Sequence, residues 1–138
     1  MIDYVVGFLF STAQEEVVLI QKNRPSWQAG QLNGPGGKVE DGELVTQAMR
    51  REFAEETGVD IDWWEMYHEY QFPKGSVSFF VASHDTEVVS MTDETVYWYA
   101  LDQLDNLPLI PNLRWAIPMA LYALRSPSFA STSWEDMQ

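Results

Sequence analysis

A glycine-rich run that opens into a helix ending in acids constrains this 138-residue chain more than any other feature. The run is Gly36-Gly37-Lys38-Val39-Glu40-Asp41-Gly42-Glu43, and the acids are Glu52, Glu55 and Glu56. At roughly 100° per residue, a helix places those carboxylates on one arc. Val45, Ala48 and Met49 lie on the same arc one or two turns earlier, with Leu44 and Phe53 at its edges. The acids therefore extend the side expected to face the protein interior. Thr46, Gln47, Arg50, Ala54 and Thr57 fall on the opposite side and can face water. Carboxylates gathered on an inward face repel one another and resist desolvation unless cations neutralise them. The alternative is a solvated acidic face, which requires the acids to leave the apolar stripe to reach water.

An all-oxygen, carboxylate-rich cluster suits a hard cation such as Mg²⁺ or Mn²⁺. The chain has no cysteine that would favour a softer metal. Mg²⁺ keeps several waters and completes its shell with substrate phosphate oxygens. The pattern points to metal-assisted attack of water on a phosphoanhydride. Glu52, Glu55 and Glu56, which share the inward arc, are the candidate metal ligands.

Gly37, five residues, Glu43, seven residues, then Arg51-Glu52-Phe53-x-Glu55-Glu56-x-Gly58-Val59 resembles the Nudix box, the signature of the Nudix hydrolases. Phe53 stands where an aliphatic residue is more usual, a departure that bears on packing rather than chemistry. The resemblance implies an α/β fold, an α/β/α sandwich with a mixed sheet. It also implies a main-chain carbonyl ligand from Gly37 and an Arg51 that orients the acids without touching substrate. A plain surface ion pair is the other reading of Arg51. Glu43, two turns before Arg51, is expected to brace the loop. Gly36, Gly37 and Gly42 are expected to give that loop backbone freedom, and Gly58 to end the helix in a left-handed turn.

Glu94, in the polar loop Met91-Thr-Asp-Glu-Thr95 ahead of a candidate strand, is the acid singled out beyond the box. Many Nudix enzymes place a further glutamate in such a loop, as an extra metal ligand or as the base for the attacking water, and a base need only reach that water by a hydrogen bond. A solvated loop acid is the other reading, and Asp93 is the neighbour able to take the role.

Leu32-Asn33-Gly34-Pro35-Gly36-Gly37-Lys38 resembles a segment of the MutT-like nucleotide-sanitising hydrolases in which an asparagine meets the purine base. Asn33 is thus a candidate base reader, or a residue chosen for turn geometry. Lys22, Arg24 and Lys38 flank this segment and are the natural phosphate partners among only 8 basic residues. Trp27 and Phe72 can stack on a base or belong to the core. In Leu109-Ile-Pro-Asn-Leu-Arg-Trp115, one branch of the sanitising enzymes carries paired aspartates after the proline where this chain has Asn112 and Leu113. Asn112 remains a candidate base reader through its amide, while Arg114 and Trp115 either contact substrate or fix the helix to the sheet.

Composition sets limits on these readings. A formal net charge of −13 argues against a nucleic-acid polymer as partner. The same charge would repel a polyphosphate and raises the importance of cations and local basic residues. Neither a basic signal region nor an apolar run of membrane-spanning length is present in the sequence, so a cytoplasmic protein without a membrane partner is expected. One Nudix domain over 1–125 and a mobile tail over 126–138 are expected, with Phe129 and Trp134 able to dock, as a monomer or homodimer.

The apolar, β-branched segments Asp3–Phe10 and Glu16–Gln21 predict a hairpin. Residues 23–37 read as a loop, and a helix from near Glu43 to Gly58 is expected with Asp41 as its N-cap. Three more strands are predicted at Trp63–Phe72, Ser76–Ser83 and Val96–Leu101, and a second helix at about Leu113–Leu124. The expected activity is Mg²⁺-dependent hydrolysis of a nucleoside diphosphate-linked substrate. A nucleoside triphosphate, with oxidised purines included, would give nucleoside monophosphate and pyrophosphate. ADP-ribose, dinucleoside polyphosphates or sugar nucleotides are alternative substrates, and a catalytically silent nucleotide-binding regulator is the alternative class.

Overall fold

A computed structural model describes residues 1–126 of the chain. Seven strands, β1 (Ile2–Phe10), β2 (Glu16–Gln21), β3 (Leu32–Asn33), β4 (Gly36–Lys38), β5 (Glu65–Phe72), β6 (Gly75–Ser83) and β7 (Val96–Ala100), form one mixed sheet. Two helices, α1 (Val45–Thr57) and α2 (Leu113–Arg125), cover it. The path runs β3-β2-β1-β6-β5, with β4 paired to β1 and β7 to β2. β1 lies parallel to β6 along its whole length, from Ile2↔Gly75 to Phe10↔Ser83, and the other pairings are antiparallel.

Alternation along the central strands divides the core in two, because successive strand side chains point to opposite faces. Val5, Leu9, Phe80 and Ala82 pack with Ala48, Met49 and Phe53 of α1. Phe8, Phe10, Phe79 and Val81 pack with Leu113, Ala116, Ile117 and Ala120 of α2. The expected α/β/α sandwich is the result. Phe53 is fully buried and meets Trp64 edge to face, with ring centroids 5.1 Å apart, so the aromatic residue in the box is accommodated by packing.

Several local expectations are corrected. The stretch 23–37 is not only loop: it contains β3, the start of β4 and a single 3₁₀ turn at Ser26–Gln28. α1 begins three residues later than an Asp41 N-cap would allow. Leu44 is its N-cap, and the Gln47 side chain accepts a hydrogen bond from the Leu44 N–H at 2.9 Å in place of an Asp41 cap. Leu44, placed at the edge of the apolar arc, is exposed. Thr57, expected to face water, is fully buried, and its hydroxyl donates to the Phe53 carbonyl at 2.7 Å. That backbone acceptor satisfies the hydroxyl, so burying a threonine here leaves no unpaired polar group. Gly58 ends the helix as expected, at φ 75°. The tail, with Phe129 and Trp134, lies outside the described residues. No helix among the described residues is long and apolar enough to cross a membrane.

Candidate active site

The site forms where α1 lies against β4. Glu56 is buried, and its Oε1 accepts a hydrogen bond from the Gly36 N–H at 3.0 Å. Burial pushes the Glu56 carboxyl up to about 8, and nearby Glu52 and Glu94 add to the rise while Lys22 and the Gly36 N–H oppose it. Burial also raises Glu52, against the opposing pull of Arg51. A β-carbon on Gly37 would stand 2.5 Å from the Glu52 carboxylate, and one on Gly36 would stand 1.9 Å from the Val5 carbonyl oxygen. These two glycines are therefore required by close approach within a strand, not by the loop freedom expected of them. Gly42, at φ 78°, does use that freedom.

Arg51 is the electrostatic hub. Its Nε and Nη2 donate to both Glu43 oxygens at 2.7 and 2.9 Å, and Nη1 donates to Glu52 at 2.9 Å. Nη2 also donates to the Lys38 carbonyl at 2.9 Å, tying the helix to the end of β4. A bidentate, half-buried guanidinium with this many acceptors is not a plain surface ion pair. The Arg51 contacts and the Glu40 backbone hold Glu43 down at about 2. Glu43 braces the loop as expected: its Oε1 accepts the Glu40 N–H at 3.0 Å.

Glu55 departs from the inward placement expected of it. Its side chain is exposed, and its contact is with Arg51 at 3.4 Å. Among the described residues no three acidic or imidazole side chains are gathered into a ready metal cage. Glu52 is turned to Arg51 and Glu56 to the Gly36 N–H. The donor chemistry nevertheless fits a hard divalent cation. Glu56 is a buried carboxylate whose charge is opposed by two further carboxylates, Glu52 and Glu94, and a cation would relieve that opposition.

Glu94 is buried rather than solvated. It accepts from Lys22 Nζ at 2.9 Å, from the Asn23 N–H at 2.7 Å and from the Arg24 N–H at 3.4 Å. Burial pushes its carboxyl up, but those hydrogen bonds and the Lys22 charge outweigh it and keep Glu94 below its ordinary value. Asp93 is exposed and held by Arg24 at 2.5 Å, so the two neighbouring acids have separate environments.

A cleft of about 420 Å³ opens beside this cluster. Gly36, Gly37 and Lys22 line it at the acid helix, and Asn33, Asn112, Trp27 and Phe72 line it elsewhere. Arg24 and Lys38 do not line it, and the phosphate role expected of them finds no support in this geometry: Arg24 is committed to Asp93 and Lys38 is exposed. Asn33 Oδ1 accepts the Gly34 N–H at 2.8 Å, so the turn reading of this residue holds for its oxygen. Trp115 meets Phe79 at 5.3 Å and His68 at 5.5 Å, and Arg114 pairs with Asp105 at 3.6 Å; both fix α2 rather than line the cleft.

Tyr4, Val6 and Gln28 line the cleft and escape the sequence reading. The alternation of β1 carries a usable signal for Tyr4 and Val6, which share a strand face with Phe8. A lone glutamine in a Pro- and Gly-rich stretch carries none.

The sequence profile of the family described as NUDIX domain matches residues 1–119. The oxidized purine nucleoside triphosphate hydrolase of Mus musculus is 30% identical over 115 residues, spanning 78% of this chain and 74% of that protein. An uncharacterized Nudix hydrolase of Bacillus subtilis (strain 168) is 32% identical over 108 residues, spanning 70% and 66%. The solved structure of a MutT, from a study of Aliivibrio salmonicida and Vibrio cholerae, superposes with a TM-score of 0.75 at 26% identity, over 88% of this chain and 98% of that one. The matched segment contains both the Arg51-centred acid cluster and the cleft beside it, and the chain belongs to the Nudix hydrolase family.

Proposed function

We propose that the chain is a Mg²⁺-dependent pyrophosphohydrolase that splits a nucleoside triphosphate into a nucleoside monophosphate and pyrophosphate. One observation carries the reading: a single cleft joins Gly36, Gly37 and Lys22, beside the acids, to a wall of carboxamides and aromatic rings. The first group suits phosphates and a cation; the second suits a base, which offers hydrogen-bonding edges and a stacking face. The oxidized purine nucleoside triphosphate hydrolase among the relatives supports a triphosphate, oxidised purines included.

Glu52 and Glu56, with the Gly37 carbonyl, are the residues that would hold Mg²⁺, with Glu55 and Glu94 as further candidate ligands. Bound Mg²⁺ supplies charge neutralisation at the phosphates and a more acidic water. Lys22 meets a phosphate oxygen from the cleft wall, with Glu94 fixing its ammonium group. Arg51 is a positioning residue that holds Glu52 and Glu43 in place. The attacking water forms a new P–O bond, the anhydride P–O bond breaks, and the water's proton passes to one of the carboxylates Glu52, Glu56 or Glu94. Trp27 and Phe72 stack on the base, and Asn33 and Asn112 read its edge.

The test is a product assay with and without Mg²⁺ over common and oxidised nucleoside triphosphates, ADP-ribose, diadenosine polyphosphates and sugar nucleotides. Mg²⁺-dependent release of monophosphate and pyrophosphate from one or two triphosphates is the expected result. Turnover confined to the longer substrates, or none at all, would overturn the reading.

A further inference from the structure

The 3₁₀ turn Ser26–Gln28 forms part of the cleft wall, and it is held by its backbone alone. The Gln28 N–H donates to the Pro25 carbonyl and the Gln28 carbonyl accepts from the Gln31 N–H, each at 2.9 Å. The Gln28 side chain has no part in that turn. It lines the cleft, and its Oε1 is buried with no hydrogen-bond partner among the described residues. A buried acceptor left unmade is costly, and native folds rarely retain one without use.

The neighbouring amides sharpen the assignment. Asn33 Oδ1 is already committed to the Gly34 N–H, which leaves that residue its donors. No acidic side chain among the described residues lines the cleft. A ligand N–H arriving there can pair with an uncommitted carboxamide oxygen, and of the carboxamides lining the cleft Gln28 is the one whose oxygen is buried without a partner among the described residues. It lies beside the exposed Trp27 ring.

We propose that Gln28 selects the nucleobase, its Oε1 accepting a hydrogen bond from an N–H on the base edge; this rests on the nucleotide reading above. A site built to pair with a ligand N–H discriminates strongly against a ligand that cannot supply it in the right place, because the protein group is then left unpaired.

The test is calorimetric binding of GMP, AMP, CMP and UMP with Mg²⁺ present, to the full chain and to Gln28→Leu and Gln28→Glu. Gln28→Leu removes both donor and acceptor at similar size, and Gln28→Glu keeps the acceptor oxygens. The expected result is a preference between the best and worst base that shrinks at least about tenfold in Gln28→Leu and stays within about threefold in Gln28→Glu, consistent with the loss of one good hydrogen bond. The melting temperature of Gln28→Leu is expected not to fall, whereas a structural role would lower it. A preference unchanged within about twofold in Gln28→Leu, or lost as fully in Gln28→Glu, overturns the proposal. So does a wild-type chain that binds the four alike or binds none. Binding is read without turnover, so a chain that shows Gln28-dependent preference but hydrolyses no triphosphate refutes the pyrophosphohydrolase reading and leaves this inference standing.

Discussion

Glu56 Oε1 takes its hydrogen bond from the Gly36 N–H at 3.0 Å, which ties a buried helix acid to the strand that lines the cleft. The contact gives the carboxylate a fixed position, but one N–H does not offset the burial that pushes the group up to about 8.

The pH dependence follows from that value. A carboxyl near 4.5 in the unfolded chain and near 8 in the folded one binds more protons when folded between those limits. Metal-free protein is therefore expected to lose stability as pH rises from about 4.5 to 8, with its melting temperature falling. Glu56→Gln keeps an oxygen for Gly36 and has no charge to bury, so most of that slope should vanish. Apparent Mg²⁺ affinity of the wild type should rise about tenfold per pH unit below 8, since binding displaces the proton. Activity of Glu56→Gln should drop by about 10³-fold or more if a ligand has been lost. Thermal melts at several pH values, with and without Mg²⁺, read the first two; near-normal turnover would remove Glu56 from the site.

Gly36 and Gly37 should respond differently to the same added methyl group. In Gly37→Ala the new carbon meets the end of a side chain, so Glu52 must swing away while the strand survives. Mg²⁺ affinity and turnover are expected to fall at least about tenfold at nearly constant stability. In Gly36→Ala the new carbon meets the Val5 backbone 1.9 Å away, and the β1–β4 pairing must give. Unfolding is expected to become easier by about 3 kcal/mol or more. Urea melts of the two variants provide the comparison, and equal stability losses would refute it.

Arg51→Lys is not a conservative change here. A single ammonium group cannot span Glu43, Glu52 and the Lys38 carbonyl together. A loss of about 1–3 kcal/mol in stability is expected, with turnover down about tenfold or more through a displaced Glu52. The acid side of the stability curve should also move. Glu43, held at about 2 by Arg51, contributes stability that is complete above its unfolded value near 4.5 and lost as pH falls toward 2. Arg51→Lys should flatten the curve in that window; an acid melt identical to wild type would show that the pair contributes nothing.

Two substitutions of Asn33 separate its turn from its amide. Asn33→Asp keeps the oxygen that accepts the Gly34 N–H and loses the donors. Asn33→Ala loses both. Both variants are expected to alter base preference with Mg²⁺ affinity unchanged, while Asn33→Ala alone should lose about 1 kcal/mol of stability. An unchanged substrate profile in both would return Asn33 to turn duty.

The parts of this molecule legible in its sequence are those fixed by local periodicity and spacing. β-branched alternation located β1 and β2, and the Gly37–Val59 spacing located the acids together with the helix end at Gly58. Tertiary contacts fixed the rest. Thr57 is buried because the Phe53 carbonyl satisfies its hydroxyl, and Glu55 is exposed although it shares an arc with Glu52 on an ideal wheel. β3 and β4 are two and three residues long, too short for a pattern to emerge, and exist because β2 and β1 offer them edges. Arg24 and Lys38 sit near the cleft in sequence, but their surroundings direct them elsewhere: Arg24 to Asp93, Lys38 to solvent.

The parallel pairing of β1 with β6 also bears on the order in which the chain can acquire this shape. Asp3 is hydrogen-bonded to Ser76, 73 positions downstream, and the register holds over the full length of both strands. During synthesis β1 can meet β2 and β4 early, but its longest neighbour is absent until Ser83 has been added. Until then one edge of an almost wholly apolar strand remains open to water and to other nascent chains. Long-range closure of this kind slows folding, and it places the interval most exposed to misassociation after the acid helix has been made and before the sheet can seal.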